Sequence, residues 1–258
     1  MNNFAILVIT CDKYSSLWKP FFLQFQKYVP RCPYTVYLGS NNKKYHRKGV
    51  KSLISKIDSD WSSHVLSILN QIDEEYVFIW LDDFFLTDYL DVQLFQHCLD
   101  FLVLNKANHM HISPGVPSDG LCDDPFISFF KKGAPYRVSV SGFWNKEHLK
   151  KILLPGESPW LFEIFGSYRS SYFDGYYCPH TLLFSYIQIV ERGKIFYQAY
   201  QYCIKHGIEL DTKRWEIHSF WDSIRSDFFQ RVFHIMLRIP WTLRLQIMNF
   251  FRKGLVSY

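Results

Sequence analysis

The sequence predicts an α/β fold, in which a mostly parallel sheet is covered by helices on both of its faces. Short apolar runs of strand length alternate with segments of helical periodicity through the first half of the chain. The strand-like runs at residues 4–10 and 76–81 are nearly continuous in apolar residues, as in parallel strands buried on both faces. With 258 residues, 48% hydrophobic and 21% charged, the chain can bury a sizeable core.

The first elements follow from run length and flanking residues. Residues 4–10 are predicted to form the first strand and residues 34–39 the second, with a helix over residues 17–28 between them. A polar loop over residues 40–49 carries Lys43, Lys44, His46, Arg47 and Lys48. This basic loop is either solvated or placed to meet a phosphate group.

Aspartates mark the starts of the next two helices. Asp60 and Asp91 each precede a segment whose apolar residues share one helical face, which is the position of an N-cap. Between these helices, residues 76–81 (YVFIWL) form a continuous apolar strand that runs directly into Asp82 and Asp83.

The second half is predicted from shorter signals. Strands are expected over residues 109–113 and 136–141, a β-rich stretch over 182–190, and helices over 146–153, from Ser158-Pro159 onward, and over 194–206. Asn145 is the predicted cap of the first of these helices, and proline at the first helical position favours the second.

Composition excludes several classes of protein. No apolar run reaches the ~18 residues of a spanning helix, and the N-terminus lacks the basic region of a signal peptide. The six Cys residues form no CxxC pair, which favours free thiols in a reducing cytoplasm over a disulfide framework.

The excess positive charge lies in a C-terminal tail, residues 225–258, which follows a predicted domain over residues 1–224. The tail contains six Lys or Arg residues and one Asp, so its net charge equals the +5 of the whole chain. Cations beside aromatic and aliphatic residues at helical spacing indicate a basic amphipathic helix pair. Such a pair either binds an anionic membrane surface or packs on the core with a solvated basic face. Nucleic acid is disfavoured, because the body of the chain carries no excess of Lys and Arg.

Acidic residues follow two predicted strands, where α/β sheets bind their ligands. Asp12 comes after the first strand, and Asp82 and Asp83 come after residues 76–81. Two carboxylates at the end of a buried strand need a positive partner, and Mg²⁺ or Mn²⁺ suits their hard oxygens. Alternatively, one Asp caps the next turn and its neighbour is solvated.

Four segments resemble bacterial GT-A-fold glycosyltransferases of cell-surface polysaccharide synthesis, such as capsule or O-antigen. They are ITCDKY, YVFIWLDDFFL, SGFWNKEHLKKIL and SPWLFEIFGS, and the resemblance spans residues 4–207. It implies a GT-A-like sheet and a transfer from a nucleotide-diphosphate sugar to a glycan or lipid-linked acceptor at the inner face of the cell membrane.

The resemblance also implies roles for individual residues. Asp82 and Asp83 would hold the divalent cation on the donor diphosphate, and Glu163 would be the base that deprotonates the acceptor in an inverting reaction. Thr10, Asp12, Trp61 and Asp82 would bind the nucleotide sugar. Aromatic neighbours of Glu163 would raise its pKa by excluding water.

Further side chains carry weaker signals. His109 and His111 share a strand face and are either a metal pair or core residues, and His180, His206 and His218 are possible third metal ligands. Residues 142–144 (Gly-Phe-Trp) are either an acceptor platform or core.

Two other functions remain open from the residues. One is a metal-dependent phosphohydrolase that uses Asp82 and Asp83, which would need further ligands converging on the pair. The other is a membrane-associated scaffold without activity.

Overall fold

The computed structural model describes residues 3–113, 118–134, 136–191 and 193–219, together with residues 239, 240, 243 and 246. The predicted tail helices over residues 225–258 lie outside the described residues apart from those four positions, so that they stay a prediction. In this described part, no helix is both long enough and apolar enough to cross a bilayer.

The described residues contain seven α-helices and fourteen strands. The helices are α1 Ser15–Tyr28, α2 Trp61–Leu69, α3 Val92–Leu104, α4 Lys146–Ile152, α5 Pro159–Leu161, α6 Ser167–Ser170 and α7 Tyr197–Lys205. The strands are β1 Phe4–Ile9, β2 Thr35–Ser40, β3 Val50–Ile54, β4 Tyr76–Leu81, β5 Phe84–Leu86, β6 His109–His111, β7 Gly120–Leu121, β8 Ile127–Phe129, β9 Gly142–Asn145, β10 Tyr176–Pro179, β11 Tyr186–Gln188, β12 Val190–Glu191, β13 Lys194–Ile195 and β14 Glu216–Ile217. A 3-10 turn, Asp12–Tyr14, precedes α1, and a π-helical turn, Phe162–Gly166, joins α5 to α6.

One mixed sheet organises these elements, and it confirms the predicted α/β class. Nine of the strands in the described residues pair in the order β3-β2-β1-β4-β9-β6-β10-β8-β7. The ladder from β3 to β4 is parallel throughout, as is the pairing of β6 with β10. Strand β9 runs antiparallel between β4 and β6, and β8 and β7 complete the far edge in antiparallel pairings.

Helices cover both faces of the sheet, which explains the continuous apolar strands. In β1, Phe4, Ile6 and Val8 face one buried cluster, whereas the residues between them face another. The first cluster includes side chains of α1 and α3, and the second includes side chains of α2 and α4. Because successive residues of a strand point to opposite faces, both sets must be apolar.

The predicted helix starts are confirmed by side-chain caps. Four cap residues accept a backbone N–H from their own first turn: Asp60 from Ser63, Asp91 from Gln93 and Leu94, Asn145 from His148, and Ser158 from Leu161. Each cap satisfies an N–H group that the helix itself leaves without a partner. These local signals therefore place four helices correctly.

Two segment predictions need correction, and several strands, β3 and β10 among them, were not predicted. The predicted strand over 136–141 is irregular, because its N–H groups bond to side chains rather than to a neighbouring strand: Val138 to Ser167 Oγ, Ser139 to His109 Nε2 and Val140 to Glu163 Oε1. Strand β3 was not predicted, since it is a half-exposed edge strand with a mixed sequence. Residues 194–195 form β13, and the helix begins only at Tyr197.

Candidate functional site

The carboxyl ends of β1 and β4 bring Thr10 and Asp82 together. The two strands are parallel, and Ile9 pairs with Leu81, so the residues that follow them are neighbours. Thr10 Oγ1 donates a short hydrogen bond to Asp82 Oδ2 and accepts one from Trp18 Nε1 at 2.9 Å. Through these two hydrogen bonds, Trp18 orients the Thr10 hydroxyl and Thr10 holds one carboxylate oxygen of Asp82 in place. The sequence predicted Thr10 as a donor-binding residue, and the structure gives it this contact within the protein.

Asp82 and Asp83 are both buried, with 5% and 8% of their surface exposed. Burial, with the adjacent charge of Asp83, raises the pKa of Asp82 well above its usual value. Burial also raises the pKa of Asp83 to about 7, although the Gln188 amide, 3.4 Å away, favours the charged form. Neither carboxylate forms an ion pair with a Lys, Arg or His of the described residues. The pair therefore carries its full negative charge only when a positive partner offsets the burial.

Asp12 lies at the same edge and holds the start of the basic loop. Its carboxylate accepts the backbone N–H groups of Asn42 and Lys43 at 3.1 Å each. Burial opposes ionisation, but these hydrogen bonds together bring the pKa of Asp12 below its usual value. The Lys43 ammonium donates to the Asp12 carbonyl and to Ser15 Oγ, whereas Lys44 and Lys48 are exposed. Nucleoside contact by Asp12 stays a prediction.

Glu163 lies in the π-helical turn that follows α5. π-Helical turns are rare and occur often at functional sites. The Glu163 carbonyl accepts Ser167 Oγ at 2.5 Å, and its carboxylate accepts the Val140 N–H at 3.0 Å. The side chain is half-buried, and burial raises its pKa to about 7 against the lowering effect of the Val140 N–H. The predicted direction of this shift is confirmed, and the value suits a group that exchanges protons near neutral pH.

A buried ion pair supports the segment that carries Glu163. Arg169 donates to both oxygens of Glu157, at 2.7 and 2.6 Å, and also to the Ile152 carbonyl at 2.8 Å. The Glu157 carbonyl in turn accepts the backbone N–H of Ser62. These contacts tie the loop before α5 to α6 and to the start of α2.

Tyr186 and Gln188 belong to the site, although the sequence did not single them out. Strand β11 pairs antiparallel with β5, directly after the acidic pair, so that Gln188 Nε2 lies 3.4 Å from Asp83 Oδ2. The Tyr186 ring stacks on Phe84 with centroids 4.4 Å apart. Burial first, and then the charges of Asp83 and Glu163, raise the pKa of the Tyr186 phenol. Asp83 and Glu163 therefore both lie within electrostatic range of the Tyr186 phenol.

Of the remaining aromatic residues that the sequence singled out, Trp61 lies near the candidate site, whereas Phe143 and Trp144 lie in the core. Trp61 is half-buried, and its ring centroid lies 5.4 Å from that of Phe162, so it packs on the π-helical turn that carries Glu163. Phe143 and Trp144 are fully buried, with Phe143 packed on Phe78 and Phe95. The acceptor-platform interpretation of residues 142–144 is therefore wrong, because β9 is a central strand whose side chains fill both faces of the sheet.

The five histidines that the sequence offered as metal ligands are either bonded within the core or lie at the surface. His109 Nδ1 donates to the Phe143 carbonyl and its ring stacks on Trp144, while His111 Nε2 donates to the Arg137 carbonyl. His109 Nε2 also accepts the Ser139 N–H, so both nitrogens of that ring are taken within the protein, and burial lowers the pKa of both His109 and His111. These contacts favour core residues over a metal pair. His180 and His206 are exposed, and His218 packs on Phe196. Throughout the described ranges, no group of three or more His, Cys, Asp or Glu side chains is arranged to hold a metal ion.

No protein-family model matches the chain, and no curated protein is significantly similar to it. Among solved structures, it is similar to S. aureus TarS residues 1–349 in complex with UDP-GlcNAc, at 14% identity and a TM-score of 0.48, over 71% of this chain and 57% of that one. It is also similar to the galactosyltransferase LgtC in complex with donor and acceptor sugar analogues, at 9% and 0.39 over 77% and 78%, and to the bifunctional IspDF from Campylobacter jejuni, at 15% and 0.38 over 59% and 43%. The chain thus spans little more than half of the TarS fragment. Similarities at these scores assign neither a family nor an activity.

Proposed function

We propose that the chain is a glycosyltransferase that moves a sugar from a nucleoside-diphosphate sugar to a hydroxyl of a glycan or a lipid-linked acceptor. One observation carries the proposal: the charge of Asp83, which forms the buried pair with Asp82, and the charge of Glu163 both act on the phenol of Tyr186. Transfer of this kind needs a group that favours the departing diphosphate and a base that receives the acceptor proton.

Asp82 and Asp83 suit the diphosphate end of the reaction. They are hard oxygen donors, they are buried, and no ion-pair partner neutralises them within the described residues, which fits a divalent cation such as Mg²⁺ or Mn²⁺. Bound there, the cation would neutralise the charge of the leaving diphosphate. Trp18 and Thr10 would keep Asp82 in one orientation, so that little reorganisation accompanies the reaction.

Glu163 suits the acceptor end. An acceptor oxygen bonds to the anomeric carbon, the bond from that carbon to the phosphate oxygen breaks with its electron pair, and the acceptor proton passes to the Glu163 carboxylate. A single displacement of this kind inverts the anomeric centre. A base with a pKa near 7 is ionised often enough to accept the proton and basic enough to hold it.

Nucleotide binding gives the first test. With Mn²⁺ or Mg²⁺ present, at least one of UDP, GDP, CDP and TDP is expected to raise the melting temperature of the protein, because a ligand at 100 times its Kd stabilises the folded state by about 2.7 kcal/mol. Differential scanning fluorimetry measures the shift, and the same titration with EDTA is the control. Absence of a shift with every nucleotide would refute the proposal. Release of inorganic phosphate without sugar transfer would favour a phosphohydrolase.

The tail gives the second test, since we also propose that residues 225–258 bind the anionic inner face of the cell membrane. Six cations among aromatic and aliphatic residues suit an interfacial helix pair. The full chain is expected to sediment with vesicles that contain phosphatidylglycerol, whereas residues 1–224 stay in the supernatant. A matched melting curve shows whether the truncated chain is folded. Equal sedimentation of both folded proteins would contradict membrane binding by the tail.

A further inference from the structure

Strand β11 forms a wall of the proposed site rather than part of the central sheet. It pairs with β5 in the register Tyr186 to Leu86 and Gln188 to Phe84, which sets it beside the turn that carries Asp82 and Asp83. The N–H of Ile189 donates to the Asp83 carbonyl at 2.8 Å, so the strand is fixed to that turn by its backbone as well. The position of β11 relative to the acidic pair is thus well defined.

Two polar side chains of β11 face the acidic pair. Residues two apart in a strand point to the same side, so Tyr186 and Gln188 share a face. Gln188 is exposed; its Nε2 lies 3.4 Å from Asp83 Oδ2, which is a long and weak hydrogen bond, and donates to the Val190 carbonyl at 3.1 Å, which leaves its Oε1 to accept a further hydrogen bond. Tyr186 is half-buried, and one side of its ring is covered by Phe84 at 4.4 Å. Both side chains keep hydrogen-bonding capacity at an accessible surface.

In a sugar transfer, the leaving phosphate and the acceptor oxygen lie on opposite sides of the anomeric carbon. The anomeric carbon is bonded to the leaving phosphate, which would be held at Asp82 and Asp83. The same carbon is attacked by the acceptor oxygen, which would be deprotonated at Glu163. In a transfer of this kind, the sugar ring would therefore occupy the space between these carboxylates. Tyr186 interacts electrostatically with Asp83 and Glu163, and Gln188 contacts Asp83 directly.

We infer that Tyr186 and Gln188 bind the transferred sugar, and that their phenol and amide hydrogen-bond its hydroxyl groups. The inference rests on the proposed function and adds residues that select the donor. A site that hydrogen-bonds a hydroxyl group discriminates strongly against a ligand that lacks it, because its own polar groups are then left without partners. The two side chains should thus distinguish the sugar nucleotide from the bare nucleotide.

The test compares paired ligands on the full-length protein. UDP-glucose, UDP-galactose, UDP-GlcNAc and GDP-mannose are each titrated by calorimetry beside UDP or GDP, with Mn²⁺ present. Wild type is expected to bind one sugar nucleotide more tightly than its matching diphosphate. Tyr186→Phe and Gln188→Ala are each expected to lower that ratio of affinities about tenfold while the diphosphate affinity changes little. Tyr197→Phe, at an exposed position on α7, is the matched control and should keep the wild-type ratio.

Each outcome decides the inference. A fall in the ratio confined to the Tyr186 and Gln188 variants supports sugar contact by these residues. An unchanged ratio, or an equal loss of affinity for diphosphate and sugar nucleotide, overturns it, since the side chains would then be structural. Wild-type protein that binds neither diphosphate nor any sugar nucleotide defeats the proposed function itself, a result distinct from wild-type binding with insensitive variants.

Discussion

The Glu163→Gln variant is expected to lose sugar transfer by about 10²–10⁴-fold while it keeps the wild-type affinity for the sugar nucleotide. The amide has nearly the shape of the carboxylate and its oxygen still accepts the Val140 N–H, so the π-helical turn should stay in place. It cannot, however, take up the acceptor proton. Transfer assays and calorimetry on the same preparation measure the two quantities.

The pH dependence of stability supplies an independent readout for Glu163. Its folded pKa of about 7 lies above its unfolded value, so the folded state binds the proton more tightly. The resulting stabilisation is complete below about pH 4.5 and is lost as the pH rises through about 7, at roughly 1.4 kcal/mol per pKa unit. Denaturant unfolding of wild type and Glu163→Gln should therefore show a difference that changes across this window.

Glu209→Gln is the matched control for both measurements, because Glu209 is exposed in the segment after α7. Its transfer rate and its stability should match those of wild type. Full transfer activity in Glu163→Gln would remove Glu163 from the mechanism. A pH-independent stability difference in that variant would instead show that the carboxylate titrates normally.

The helix starts and the end of β4 are predicted correctly from the sequence because they depend on local contacts. The caps at Asp60, Asp91, Asn145 and Ser158 act within their own first turns, so residue type and spacing suffice to place them. The acidic pair Asp82 and Asp83 was also visible, because a strand buried on both faces has to be apolar and its end is marked by the first charges. These local rules are enough to predict the α/β class and the edge of the sheet that carries the site.

The position of β11 and the conformation of residues 136–141 are not predicted from the sequence, because they depend on partners that are distant along the chain. Gln188 reaches Asp83 because β11 pairs with β5, and the residues of β11 contain nothing that specifies this pairing. Residues 136–141 alternate like a strand, yet Ser167 and Glu163 take their N–H groups. Buried backbone N–H and C=O groups need hydrogen-bond partners, but a pattern of residue types does not show whether the partner is a neighbouring strand or a side chain. The role of Thr10 could not be read from its position for the same reason. Its hydroxyl can bind a ligand or a side chain, and in the structure it donates to Asp82.

Asp83→Asn is expected to have two large effects of opposite sign. At pH 8 the ligand-free variant should be more stable than wild type, because burial disfavours the Asp83 charge and its removal also removes the repulsion that it exerts on Asp82. The same variant should lose the stabilisation by nucleoside diphosphate with Mn²⁺, because a neutral amide is a poor ligand for a divalent cation. Chemical unfolding with and without nucleotide and Mn²⁺ measures both effects.

The opposite signs separate a binding role from a structural one. If Asp83 held the fold together, its replacement would lower the stability of the ligand-free protein, and weaker nucleotide binding would follow from misfolding. Asp88→Asn, on an exposed residue shortly after β5, controls for the loss of one negative charge and should change neither quantity. A less stable variant at pH 8, or a variant that nucleotide and Mn²⁺ stabilise as strongly as wild type, would contradict the role assigned to Asp83. A more stable variant that no longer responds to nucleotide would show that this carboxylate is retained for binding, at the expense of the stability of the fold.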